Sequence, residues 1–394
     1  MAKSTEGTAP LTCQRDAFSL PRELHYLNCA FMSPLPRAVE EAGIQGMLRK
    51  RNPTLLEACD FFQESEEVRV RFARLINAPD PSCIALIPSV SYGIGVAARN
   101  TALAPGQNIV LLHEQFPGNV YGWRRAAWEQ GAEIRTVRPD GGEQRGRLWN
   151  ERILEAIDGQ TGVVALAPVH WTDGTAFDLE AIGARAREVG AALVVDGTQS
   201  VGALPFDVQK LQPDALVVAS YKWLLGPYSM GVAYFGPRYQ EGLPLEETWI
   251  AREGSQDFQS LVDYQDGYQP GAVRFDVGER SNFILVPMLV AALRLLEEWD
   301  PNGVQAYTGE LSRKLVNEAG ELGFSVEEDA FRVGHLFGIR TPPQVEMEAV
   351  KVALKEEGVS ASLRGSALRV SPHLYNDEED VQALIRALRS AVGA

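Results

Sequence analysis

Lys222 follows the apolar run Ala215-Leu-Val-Val-Ala219 and stands within Ser220-Tyr221-Lys222-Trp223-Leu224-Leu225-Gly226-Pro227. A second apolar run, Ala192-Leu-Val-Val195, ends in Asp196-Gly-Thr-Gln199. Both runs have the length and composition of buried strands, so an amine and a carboxylate each leave the carboxyl end of a strand. Pyridoxal phosphate chemistry needs that pair: the amine forms the Schiff base, and the acid keeps the ring nitrogen protonated so that the ring accepts electrons. A buried lysine also sheds its proton readily, which makes it a better nucleophile and base. Alone, Lys222 reads as a solvated lysine and Asp196 as a turn acid or helix cap. Their joint position after neighbouring strands carries the chemistry.

Ligands in open parallel sheets bind beyond the carboxyl ends of the strands, and other groups fall there too. His113-Glu-Gln-Phe-Pro-Gly-Asn119 follows the run 108–112, which puts Phe116 where it can stack on an aromatic ring. Ser89-Val90-Ser91-Tyr92-Gly93 follows the run 83–87 and opens a helix. Its hydroxyls and free backbone N–H groups suit a phosphate, although a serine there is also an ordinary helix cap. A rival reading starts from Gly93-Ile-Gly95-Val-Ala-Ala98, which fits a GxGxxA dinucleotide fingerprint with Glu114 ending the next strand. That would make an NAD(P)-dependent oxidoreductase. However, Gly93 lies well into the helix, and the rival gives Asp196, Gln199 and Lys222 no common role.

The elements that must position these groups alternate. Apolar runs at 83–87, 108–112, 162–167, 191–195 and 214–218 are separated by helical stretches at 119–130, 149–157 and 178–189. This predicts an α/β fold with a mostly parallel sheet covered by helices. Met230 to Phe235 returns after a loop too short for a parallel crossover, so that strand is expected antiparallel. Residues 1–20 are polar and read as loosely ordered, and a helix is expected from about Arg37. Residues 240–280 read as one long functional loop, and Pro287 opens a helix through Trp299. Beyond it, helices at 303–321, 343–357 and from Asn376, with strands near 323–326, 334–339, 359–363 and 367–371, suggest a smaller α+β domain. The expected division is 1–36, an N-terminal segment near the site; 37–285, a large cofactor-binding domain; and 286–394, a small C-terminal domain.

Composition narrows the class. The 394 residues carry 52 acidic and 37 basic side chains, a net charge of -15, which argues against a nucleic-acid surface. The four cysteines (13, 29, 59 and 83) are scattered without a CxxC pair, so neither disulfides nor a metal site is expected. No signal-peptide-like or membrane-length apolar segment occurs, and the reading is a cytoplasmic protein with no membrane partner.

The Asp-x-x-Gln pattern followed by Ser-x-Lys-x-x-x-Gly-Pro resembles the class V aminotransferase family of fold type I pyridoxal phosphate enzymes, which includes kynureninases, isopenicillin N epimerases and cysteine desulfurases. Tyr26-Leu-Asn-Cys-Ala30, Phe116-Pro-Gly-Asn-Val-Tyr121 and Leu368-Arg-Val-Ser-Pro-His-Leu-Tyr-Asn376 are similar to further family motifs, in the same order along nearly the whole chain. The resemblance implies that Lys222 is the Schiff-base lysine and proton shuttle, that Asp196 pairs with the pyridine nitrogen, and that Gln199 lies near the phenolic oxygen. Phe116 would stack on the ring. Val90, Ser91, Ser220 and Tyr221 would serve the cofactor, the first two and Tyr221 at its phosphate. Arg369 would hold the substrate carboxylate, with Asn28 beside it, and His25, Phe31 and Arg364 are further pocket residues. His170 or Trp171 stands where relatives place a cofactor-facing side chain. Ser281 or Asn282 replaces a residue that reaches the partner's phosphate in a homodimer, and Trp249 and Arg252 are candidates for contacting the neighbouring site. Desulfurases use a C-terminal cysteine that this chain lacks. Transamination of a small-molecule α-amino acid is therefore the expected reaction, with kynureninase-like elimination or epimerisation as alternatives.

Overall fold

The apolar runs become the centre of one seven-stranded sheet. The computed structural model describes residues 10–139, 144–365 and 367–393. Strand β1 (His25–Tyr26) precedes helices α1 (Arg37–Arg49) and α2 (Gln63–Leu75). The alternating stretch then runs β2 (Ile84–Ile87), α3 (Val90–Arg99), β3 (Asn108–Leu112), α4 (Tyr121–Gln130), β4 (Glu133–Val137), α5 (Arg145–Ala156) and β5 (Thr161–Leu166). It continues through α6 (Leu179–Glu188), β6 (Ala192–Asp196), the short α7 (Val208–Leu211), β7 (Ala215–Ala219) and β8 (Gly231–Phe235). Helices α8 (Leu285–Trp299) and α9 (Pro301–Glu321) lead to β9 (Ser325–Val326), β10 (Phe337–Arg340), α10 (Met347–Glu356), β11 (Val359–Ser360), β12 (Ser362–Arg364), β13 (Ala367–Val370) and α11 (Glu378–Val392).

The large sheet has the order β2-β8-β7-β6-β5-β3-β4, and only β8 runs antiparallel to its neighbours. Every residue of β2, β3, β6, β7 and β8 is buried. Their alternate side chains fill two separate cores, one per face: Leu86, Val110, Val164, Leu193 and Leu216 on one side, Ala85, Ile109, Val163, Val194 and Val217 on the other. Burial on both faces is why these strands read as unbroken apolar runs. Strand β4 was not among the expected strands. It stands at one edge of the sheet, its Glu133 and Thr136 are exposed, and its Glu-Ile-Arg-Thr-Val sequence has no apolar run to read.

Two expectations about the flanks need correction. Residues 10–20 are not loose: Phe18 is buried between Trp299 and Tyr375, and Gln14 N–H donates to Leu374 O. A single large aromatic ring anchors an otherwise polar stretch; residues 1–9 of that expectation lie outside the described residues. Helix α8 starts two residues ahead of Pro287, which sits in the first turn, where a missing N–H costs nothing. Its buried face belongs to the large-sheet core and packs on α1 and α2.

The small sheet, β12-β13-β10-β9, is antiparallel. Its register places Arg364 opposite Ala367 and Ala367 opposite Arg340, while Arg369 lies opposite Ser362 and Gly338. Paired residues share a face, as do residues two apart. One face therefore carries Leu368, Ile339 and Leu363 into the C-terminal core. The other carries Arg340, Arg364 and Arg369, and there Gly338 packs against the Asp173 backbone of the large-sheet layer. The N-terminal segment joins both parts. β1 pairs with β11, Ser33 N–H donates to Tyr221 O (3.0 Å), and Ala30 O accepts from Gln199 Nε2 (3.1 Å).

Candidate active site

Five strand ends of the large sheet open into one cavity of about 290 Å³. Pro88–Ser91 after β2, Gln115–Phe116 after β3, Val169–Trp171 after β5, Asp196–Gln199 after β6 and Tyr221–Lys222 after β7 supply most of its wall.

Lys222 is buried, and its ammonium has no acidic partner among the described residues; the Phe116 and Tyr221 rings lie 5.4 and 5.5 Å from Nζ. Burial pulls its pKa down to about 8, the Arg369 charge adds to that, and Asp196 opposes it. The turn that presents it is tightly braced. Gly226 N–H donates to Ser220 O, Leu225 adopts a positive φ of 56°, and the Trp223 indole donates to Gln199 Oε1 (3.0 Å). Gly202, at φ 106°, lets the Trp223 carbonyl approach so closely that a β-carbon would sit 2.2 Å from it.

Asp196 is buried at the end of β6, and burial raises its carboxyl pKa. Thr198 holds the carboxylate through its N–H (3.1 Å) and its hydroxyl, and no cation pairs with it among the described residues. Ser89 caps α3 through Tyr92 N–H and touches Ser91 Oγ at 3.1 Å. Ser89, Val90 and Ser91, at the start of that ten-residue helix, line the cavity, and a helix start offers free N–H groups to an anion. An amine, a buried acid lacking a cation, a helix start and the Phe116 ring fit pyridoxal phosphate: Lys222 could take the aldehyde, Asp196 the ring nitrogen, Val90 and Ser91 the phosphate, and Phe116 the ring face. Gly93 in the rival fingerprint instead packs flat on Val217 of β7, which is a helix-on-sheet contact.

The remaining expected residues divide. Tyr221 and Gln199 line the cavity, although Gln199 already spends its amide on Ala30 and Trp223. Of the segment after β5, both His170 and Trp171 line it. His170 is locked between His113 O (3.1 Å) and Thr172 Oγ1 (2.7 Å), while Trp171 meets Phe116 edge to face at 5.4 Å. Ser220 is not on the cavity wall; its buried hydroxyl lies between the carbonyls of Pro227 and Met230, where it shapes the lysine turn. Within this chain Asn282 is likewise away from the wall, and its side chain caps α8 through the Ile284 and Leu285 N–H groups. Trp249 and Arg252 pack within their own loop, Trp249 on Phe258 and Arg252 on Tyr268 and Glu247.

Arg369 and Asn28 lie behind the Trp171 wall. Arg369 Nη1 donates to Trp171 O (2.8 Å), and Ser362 Oγ bridges toward Asn28 Oδ1 (2.8 Å). Arg369 is 1% exposed and has no carboxylate partner among the described residues. Burial and then Arg364 lower its pKa to about 10. Of the other pocket candidates, His25 is bound to Asp380 in the C-terminal layer, and Phe31 is exposed. None of the four cysteines lines the cavity, and burial pushes the Cys29 thiol up to about 12. Sequence reasoning missed Thr198, which orients Asp196, and Gln115 and Tyr228 on the wall. Their only signal was closeness to residues already chosen.

A parallel sheet with a buried lysine and acid at adjacent strand ends defines a fold type I pyridoxal phosphate enzyme. The profile of the family described as Aminotransferase class-V matches residues 52–384, and the chain belongs to that family. Pyridoxal phosphate is accordingly its cofactor. An uncharacterized aminotransferase, YcbU, of Bacillus subtilis is 26% identical over 90% of this chain and 90% of its own length. Isopenicillin N epimerase of Streptomyces clavuligerus is 25% identical over 93% and 94%. The crystal structure of the cysteine desulfurase CsdA of Escherichia coli shares the fold, with a TM-score of 0.79 at 23% identity over 96% of this chain and 97% of that one. Among the described residues no helix is long and apolar enough to cross a membrane.

Proposed function

We propose that this protein is a pyridoxal phosphate-dependent aminotransferase acting on an α-amino acid. One observation carries the reading. Lys222 and Asp196 are buried in the same cavity without ion-pair partners, and a third buried charge, Arg369, waits behind its wall without a carboxylate. When bound, the cofactor draws the electrons of the substrate's α-C–H bond into its ring.

The chain's own groups do the rest. The Lys222 amine, with a pKa near 8, takes the α-proton and can return it, because its acid strength is close to that of the surrounding solution. Asp196, oriented by Thr198 and facing no cation among the described residues, holds a positive charge at the ring nitrogen. The α3 N–H groups hold the phosphate, and Phe116 and Trp171 cover the reacting face and exclude water. Arg369 presents a planar fork to the substrate carboxylate.

Kynureninase-like elimination and epimerisation share the proton-removal step, and some relatives are cysteine desulfurases. The sulfur-transfer route lacks its nucleophile here, since no cysteine lines the cavity. We further propose a cytoplasmic homodimer, supported by free cysteines and by the exposed apolar residues Trp249, Phe258, Val262 and Tyr264 in the long loop.

The test is a screen of amino acids against the holoenzyme. Transamination converts the cofactor to its amine form, and the visible band disappears until a keto acid restores it. Release of ammonia or of a cleaved side chain would assign elimination instead, and inversion of the α-carbon alone would assign epimerisation.

A further inference from the structure

A second cleft adjoins the cofactor cavity, and it is strongly basic. Among the described residues Arg138, Arg145, Arg340 and Arg364 line it with His113, against the two carboxylates Asp173 and Glu114. This surplus sits on a protein whose net charge is -15, so composition does not account for it. The two spaces share both walls. Along the segment after β3, His113 and Glu114 face the cleft and Gln115 and Phe116 face the cavity. Along the segment after β5, Thr172 and Asp173 face the cleft while His170 and Trp171 face the cavity.

The charges are unevenly satisfied. Asp173 accepts from Arg145 Nε (3.1 Å) and Arg340 Nη2 (2.6 Å), so one carboxylate serves two guanidinium groups. Arg138 meets no acid among the described residues; it donates to the His113 ring at 2.8 Å, which requires that imidazole to be neutral. Arg364 also has no acidic partner there. Its one hydrogen bond is to the neighbouring carbonyl of Leu363 (2.9 Å), its Nε is buried without an acceptor, and its guanidinium lies 5.8 Å from the Trp171 ring that walls the cavity. The strand register explains the cluster: Arg364, Ala367 and Arg340 form one row across β12, β13 and β10, and the small Ala367 leaves the space between the two arginines. Arg369 stands on the same face one pair further along.

We propose that this cleft binds a terminal anionic group of the substrate, so that the preferred amino acid carries an acidic side chain as well as its α-carboxylate. The inference rests on the reading of the cavity as an amino-acid site. Arg369 serves the α-carboxylate; Arg364, with Arg138 lining the same cleft, receives the distal carboxylate or phosphonate through charge-assisted bonds. An uncharged side-chain end would leave those guanidinium groups without an anion, and the acid is favoured over its amide by that difference.

The experiment measures binding to the holoenzyme by calorimetry, without using turnover. The probes are malonate, succinate, glutarate and adipate, their phosphonate-ended analogues, and monocarboxylates of equal carbon number. The best dianion is expected to bind at least about 10-fold more tightly than its monocarboxylate, with added salt shrinking the gap. In Arg364→Gln, and separately in the exposed Arg138→Gln, that ratio falls toward one. Equal binding of dianions and monoanions in the wild type, or an unchanged ratio in both variants, overturns the proposal. A phosphonate preferred over every dicarboxylate would identify the distal group as a phosphate. The absorbance screen separates this result from the parent reading. Tight dianion binding with no amino acid altering the visible band would sink the aminotransferase assignment and leave the anion site standing. Reaction with amino acids at equal affinity for acids and their amides would do the reverse.

Discussion

Arg369 on β13 donates a 2.8 Å hydrogen bond to the backbone oxygen of Trp171, which follows β5 of the large sheet. The contact ties the C-terminal sheet to the wall of the cofactor cavity and fixes the guanidinium beside the place where a substrate carboxylate would arrive. With the longer Nη2 contact to Ser362 Oγ (3.4 Å) it spends two N–H groups of five, leaving three for an anion. Arg369→Lys keeps the charge but removes the fork. The loss of one charge-assisted bond, about 1.5–3 kcal/mol, corresponds to roughly a 10- to 150-fold fall in kcat/KM. Steady-state kinetics should show the fall chiefly in KM, with the cofactor's visible absorbance unchanged.

Asp196→Asn separates holding the cofactor from using it. The amide preserves shape and can still accept from Thr198 N–H, but it cannot balance a positive ring nitrogen. The variant should bind pyridoxal phosphate through Lys222 and show the visible band, while kcat falls by about 10²–10⁴, the scale of acid–base effects. A variant as active as the wild type would remove Asp196 from the mechanism.

The parts of this protein that could be read in advance share one physical cause. Strands β2, β3, β5, β6 and β7 are buried on both faces, so their sequences are continuous apolar runs, and the polar residue ending each run marks the cavity. Lys222, Asp196, Phe116 and Ser91 were legible for that reason. Strand β4 was not, because only Val137 of its five residues is buried and its sequence has no apolar run. Ser220 and Asn282 lie off this chain's cavity wall for a different reason. A hydroxyl or amide next to a functional residue looks the same in sequence whether it faces the ligand or braces the turn, and here both brace turns. The arginine row of the small sheet needed the pairing register, which no local pattern in residues 334–371 reveals.

Gly202 should be intolerant of a side chain. At φ 106° and with Trp223 O 2.2 Å from a would-be β-carbon, Gly202→Ala adds backbone strain of about 1–3 kcal/mol and displaces the turn that carries Lys222. Both a lowered denaturation midpoint and weaker retention of the cofactor on dialysis are expected. Loss of stability with full cofactor retention would show that the strain is absorbed away from the lysine.

His373 is fully buried among Trp223, Trp299 and Tyr375, and neither ring nitrogen has a hydrogen-bond partner among the described residues. Burial lowers its pKa to about 3, with the His335 charge adding to the effect, and burial lowers that of His335 to about 4. Above pH 6.5 both rings are neutral whether the chain is folded or not. Below it the unfolded chain takes up protons that the folded chain refuses, so stability is lost as pH falls from 6.5 toward 4. His373→Phe should flatten that loss and, by removing two unsatisfied polar atoms, raise stability at pH 7 by about 1–2 kcal/mol. Urea titrations at several pH values check both.

Lys222 has the opposite window. Its ordinary pKa of 10.5 is lowered to about 8 in the fold, so between those values the unfolded chain binds the extra proton. Stability of the cofactor-free protein therefore rises with pH across that interval, and below pH 8 the fold carries the full cost of a buried charge. A shift of this size corresponds to roughly 3 kcal/mol. Lys222→Met fills the same space without the charge. At pH 7 the cofactor-free variant should be more stable than the wild type by up to about that amount, and the advantage should shrink as pH climbs toward 10. Adding pyridoxal phosphate reverses the order, because only the wild type can bond to it, and ligand bound to the native state alone adds to stability. A pH-independent difference between the two cofactor-free proteins would mean that the Lys222 amine is solvated, and the case for it as the proton-transferring base would fall with it.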